Sequence, residues 1–97
     1  GETPLFIACK TGNETIVKCL VEHGSDVNKE DKDGQTPLFN ACRKGNEIVV
    51  KYLVDHGVDI HKENIKGMIP LFYSCMSENE MLVEYLVDQG ADINKVN

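Results

Sequence analysis

Four cysteines, three histidines and one acidic segment are the residues of this 97-residue chain whose types could carry chemistry. An even number of cysteines admits disulfides, and cysteine with histidine admits zinc, yet no C-x-x-C pair occurs and no ligand spacing accompanies Cys19. The acidic run from Asp26 to Gly34 has the look of a calcium loop. Such a loop needs glycine at its sixth position and a bidentate glutamate at its twelfth, where this chain has Asp31 and Pro37. No phosphate-cradling or nucleophile-elbow glycine motif is present, and no serine has a base at a suggestive spacing. Asn13-Glu14-Thr15 matches a glycosylation sequon. No catalytic, metal or cofactor constellation emerges, so the expectation is a protein that is not an enzyme, carries no cofactor and takes no small-molecule substrate.

The elements that position these residues follow from a period of 33: Gly1, Gly34 and Gly67 keep it, as do Pro4, Pro37 and Pro70, and Cys9, Cys42 and Cys75. Between the first two units 19 of 33 aligned positions are identical, which makes the period a property of the whole chain. In each unit a short helix can start at Thr3-Pro4 or its equivalent, with threonine as cap and proline at the first helical position, where its missing N–H is harmless. Gly12 and Gly45 can end it. A second helix starts at Asn13, Asn46 and Asn79, each followed by a glutamate that complements the positive end of the helix dipole. Ile16, Val17, Leu20 and Val21, then Val49, Val50, Leu53 and Val54, recur at helical spacing, and a glycine follows each helix. A polar connector remains, Ser25 to Gly34 in the first instance, with one inward apolar residue, Val27, matched by Ile60 and Ile93.

The strings G-x-T-P-L-F-x-A-C-x-x-G-N and I-V-K-x-L-V-x-x-G-x-D-V-N make this chain resemble the ankyrin repeat from end to end. The resemblance implies an all-α solenoid of stacked helix-turn-helix units with projecting β-hairpin loops. It implies one domain over 1–97, with units at about 1–30, 31–63 and 64–97, read as a window on a longer array. Phe6, Phe39 and Phe72 stand where the family usually has the histidine of its T-P-L-H motif, so packing replaces a polar network. Asn13, Asn46 and Asn79 stand where a second family histidine is common, and capping accounts for them. The third unit departs most, with Ile69 for the capping threonine and Glu78 for the helix-ending glycine. Each change costs on the order of 1 kcal/mol, and the unit's first helix is expected to fray or shift.

Within that stack Cys9, Cys42 and Cys75 fall on successive first helices about 8 to 10 Å apart, beyond the roughly 7 Å a disulfide tolerates, and are expected to pack as small apolar thiols. Reduced thiols in turn favour an intracellular, cytoplasmic location. His23 and His56 share a position before a helix-ending glycine, where capping is the better reading. A common ion near 2 Å from each nitrogen is out of reach for units about 10 Å apart. His61 replaces the asparagine seen at Asn28 and Asn94 as a turn residue.

The formal charge is −6, which disfavours nucleic acid, and no apolar run approaches the roughly 18 residues of a membrane span. Ankyrin-type stacks usually bind other proteins along the concave face of loop tips and first helices. The variable positions there hold five of the ten basic residues, Lys10, Lys32, Arg43, Lys44 and Lys66, against only Glu2 and Asp33. Gln35, Ile65, Met68, Tyr73 and Met76 complete the candidate site. A basic, partly apolar groove is therefore expected, suited to a protein partner with an acidic segment and an apolar anchor. Spacer units in a longer array, or a regulatory or targeting appendage of an enzyme, are the alternatives.

Overall fold

A computed structural model describes residues 3–95; residues 1, 2, 96 and 97, Glu2 of the expected binding face among them, lie outside the described part. Six helices run α1 Pro4–Thr11, α2 Glu14–Glu22, α3 Pro37–Lys44, α4 Glu47–Asp55, α5 Pro70–Met76 and α6 Glu80–Asp88, followed by a 3-10 turn at Ile93–Lys95. The first helices pack on one another, α1 on α3 and α3 on α5, while α2, α4 and α6 form an outer row. No strand occurs among the described residues, so the projecting loops are hydrogen-bonded turns rather than two-stranded ladders. Each turn is closed by the Asp31 N–H donating to the Gln35 carbonyl, or that of Asn64 to Met68, both at 2.9 Å. With three residues between the closing pair, little length remains for a ladder.

The core runs the length of the stack through Leu5, Cys9, Val17, Leu38, Cys42, Val49, Val50, Leu53, Leu71, Leu82 and Leu86. Phe6 and Phe39, two of the rings at the T-P-L-F position, are 1% and 0% exposed and wholly packed, whereas the third, Phe72, is half-buried. The capping asparagines do more than cap. Asn46 Oδ1 accepts from the Val49 N–H at 3.1 Å while its Nδ2 donates 3.2 Å back to the Gly12 carbonyl of the preceding repeat. Asn79 repeats the arrangement with Leu82 and Gly45. A second bracket joins the loops: Asn28 donates to the Gly57 carbonyl and accepts from the Asp59 N–H. His61 occupies the equivalent place one repeat on, where its own N–H donates to Asp59 Oδ1 at 2.8 Å.

The third unit behaves differently from expectation at its start. Helix α5 begins at Pro70 in register with Pro4 and Pro37, and Ile69 is 2% exposed as its cap. The loss is small because, among the first-row helices described, a side-chain cap hydrogen bond exists only at Thr3. Thr36, the middle threonine, has its hydroxyl buried without a partner. The other end does shift: α5 is one residue shorter than α1 and α3, and Glu78 adopts the left-handed conformation, φ 58°, that Gly12 and Gly45 supply elsewhere.

Among the thiols, Cys9 and Cys42 are buried as expected, but Cys75 is exposed. Helix α5 is the last first-row helix of the described stack, and no following helix covers its thiol. Burial pushes the thiols of Cys9 and Cys42 up to about 12 from 9.0; at Cys42 the Ser74 hydroxyl and the Arg43 charge act in the opposite direction without overcoming it. The unfolded chain releases these protons near pH 9, while the folded chain holds them to about 12. Their contribution to stability is thus full below pH 9 and is lost as pH rises through that window. In a thiol assay at pH 8 Cys19 and Cys75 are expected to react promptly, and Cys9 and Cys42 only after urea is added. Prompt reaction of all the thiols in native buffer would contradict the packing.

Candidate protein-binding face

Arg43 and Tyr73 meet across the first-row helices α3 and α5. The Arg43 guanidinium sits over the Tyr73 ring, 4.2 Å from its centroid, an arrangement favoured by the negative π face. Arg43 Nη1 donates to Asn40 Oδ1 at 3.2 Å, and Nη2 donates to Gln35 Oε1. Tyr73 is fixed in turn by two edge-on aromatic neighbours, Phe39 at 5.8 Å and Phe72 at 5.1 Å between centroids. Its hydroxyl accepts from Asn64 Nδ2 at 2.9 Å and donates to the Met68 sulfur at 3.9 Å.

Around this pair are two depressions. One, of about 120 Å³, is lined by Asp33, Gln35, Arg43, Asn64, Ile65, Lys66 and Tyr73; the other, an open depression of about 360 Å³, by Arg43, Tyr73, Met76 and Ser77. The loop tips that form the first are tied together, because the Ile65 N–H donates to the Asp33 carbonyl at 3.0 Å. A side chain added to Gly34 would sit 3.6 Å from the Asn64 Cα, so the tips are in van der Waals contact.

Of the residues singled out in the sequence, the structure brings together Gln35, Arg43, Ile65, Lys66, Met68, Tyr73 and Met76. Ile65 and Met76 are 71% and 65% exposed, and Met68 and Tyr73 are half-buried. Lys10, Lys32 and Lys44 are exposed but line neither depression. The stem of Lys44 lies along Gly12, turned toward the first repeat. Asn64 was missed in the sequence. Its Oδ1 accepts from the Lys66 and Met68 N–H groups, as Asp31 Oδ1 does from Asp33 and Gln35, and its spare amide hydrogens hold Tyr73. The signal was that Asp31 becomes Asn64 in the same unit in which Asn40 becomes Tyr73.

The other reactive residues make local contacts. His23 and His56 are helix C-caps, each donating Nδ1–H to the carbonyl four residues back, Cys19 at 2.7 Å and Tyr52 at 2.9 Å. Cys19 Sγ is 3.8 Å from His23 Nδ1, but with its proton directed to the carbonyl that nitrogen cannot serve as a base to the thiol. No helix among the described residues is long and apolar enough to cross a membrane.

The geometry has counterparts among solved structures. The ankyrin repeat domain of human ASB11 superposes with a TM-score of 0.90 at 28% identity, over 94% of this chain and 41% of that one. The present chain therefore spans less than half of that structure. As many as 506 solved chains match, a breadth that identifies an architecture rather than one activity. No curated protein sequence matches. The family model for ankyrin repeats matches residues 5–97 as three copies, and with six stacked helices and their register in place the chain belongs to the ankyrin repeat family.

Proposed function

We propose that this chain is a protein-interaction module whose concave face binds an acidic, partly apolar segment of another protein. Ankyrin repeats are generally protein–protein interaction modules and typically non-catalytic, which supports the class. The observation that carries the address is the convergence of Arg43, Lys66, Ile65, Tyr73 and Met76 on adjoining depressions of one preformed surface. A fixed surface lowers the ordering cost of association, and its positive charge speeds encounter with an acidic segment. The net charge of −6 over the whole chain disfavours a nucleic-acid backbone as the partner. Ile16 and Ile93 are 47% and 59% exposed, whereas their equivalents Val49 and Ile60 are buried, which favours these units standing within a longer array.

The test uses peptides selected on the wild-type chain from a random-sequence display library. Arg43→Glu with Lys66→Glu is expected to weaken binding about tenfold and to flatten its salt dependence, whereas Lys44→Glu alone has a much smaller effect. Equal affinity and an unchanged salt slope in the double variant would remove the electrostatic part of the proposal.

A further inference from the structure

Resting on that reading, we infer that the loop-tip cleft is a receptor for a single carboxylate side chain, and that the adjoining depression takes an apolar side chain from the same short peptide. The recognised unit is one aspartate or glutamate beside one apolar residue, not a polyacidic run.

Three observations converge. First, Arg43 is set for a ligand without being neutralised: its identified neighbours are the neutral oxygens of Asn40 and Gln35 and the face of Tyr73, and no ion pair to it is found among the described residues. Two of its five N–H groups are used, which leaves donors for a carboxylate in the planar geometry arginine favours. Second, the charges lining the cleft are Arg43 and Lys66 against Asp33, one net positive charge. A single carboxylate balances it, whereas a phosphate dianion would overshoot and would face Asp33 as well. Third, the other side of the Arg43–Tyr73 pair is apolar where the first is polar. The Met76 side chain, 65% exposed, shares that depression with the Tyr73 ring. Side chains from one extended peptide therefore reach both, with the stacked pair as the partition between them.

The stack is also held from beneath. Tyr73 is gripped by Asn64 and flanked by Phe39 and Phe72, so the guanidinium rests on a fixed platform and little rotamer freedom is left to lose on binding. Lysine at the same place keeps the charge but lacks the planar fork and stacks poorly.

The same display selection tests the inference when its peptides are sequenced, mapped on the chain by amide chemical shifts, and titrated against wild type, Arg43→Lys and Lys32→Ala. The expected result is a shared acidic residue next to an apolar one, an affinity about tenfold weaker for Arg43→Lys, and less than about a threefold change for Lys32→Ala. Because Arg43 is exposed, unchanged thermal unfolding of Arg43→Lys shows that the fold is intact. Peptides that bind the concave face without a shared carboxylate, or indifferently to Arg43→Lys, overturn this inference and leave the broader proposal standing. Failure to select any peptide, or selection of peptides that map elsewhere, overturns both.

Discussion

Replacing Phe39 by alanine is expected to cost about 3–5 kcal/mol, a large part of the 5–15 kcal/mol typical of a small domain. The ring is 0% exposed, on the middle first-row helix, where α1 packs on one side and α5 on the other. Its removal leaves a cavity that α1, α3 and α5 cannot close without breaking register, since each is tied to its neighbours by packing along the whole stack. The same ring supports Tyr73 edge-on, so the near-ultraviolet tyrosine signal should change along with the urea midpoint. Phe39→Leu retains most of the volume and should lose much less. A loss under about 1 kcal/mol in Phe39→Ala would mean that the site collapses freely and that the packing replacing the family's polar network is not what holds the middle repeat.

The second large effect separates capping from stapling. Asn46→Ala removes both the helix cap on Val49 and the bond to the Gly12 carbonyl, and is expected to cost about 2 kcal/mol. Asn13→Ala removes the same kind of cap, the bond from the Ile16 N–H at 3.1 Å, at a position with no preceding helix pair in the described stack. Its cost should be about half as large, near 1 kcal/mol. The difference between the two, measured by urea unfolding, isolates the contribution of the bond between repeats. Equal costs would show that the amide bond to Gly12 adds nothing beyond the cap.

Most of the fold was legible because a period of 33 states the same local instructions three times. Proline at the first helical position, asparagine at the next cap and glycine at the left-handed position are each interpretable without tertiary context. What escaped was relational. The threonine before Pro37 reads as a cap, yet its hydroxyl is buried without a partner, and the equivalent helix start in the third unit forms with a buried Ile69 in that place. Cys75 reads as its equivalents Cys9 and Cys42 do, but its burial depends on a neighbour rather than on its own unit. The double role of Asn46 likewise requires the preceding repeat's carbonyl.

For the candidate site, composition indicated a basic face but not which charges converge. Five cations share it in sequence, while Arg43 and Lys66 line one cleft and Lys44 turns toward Gly12. Repeat position alone cannot distinguish these, since the direction of a long side chain is set by what it packs against. Asn64 was passed over because an aspartate at the same place makes the same turn, and only the amide's extra donors reach Tyr73.

The outer row offers a competing surface, with Ile48 and Met81 at equivalent positions and 52% and 53% exposed. Amide chemical-shift mapping of the chain with a display-selected peptide therefore tests the central claim most directly. Binding to the concave face predicts shifts centred on Gln35, Arg43, Asn64, Ile65, Lys66, Tyr73 and Met76, with α4 and α6 near Ile48 and Met81 unmoved. Shifts centred on Ile48 and Met81, with Arg43 and Tyr73 silent, would contradict it.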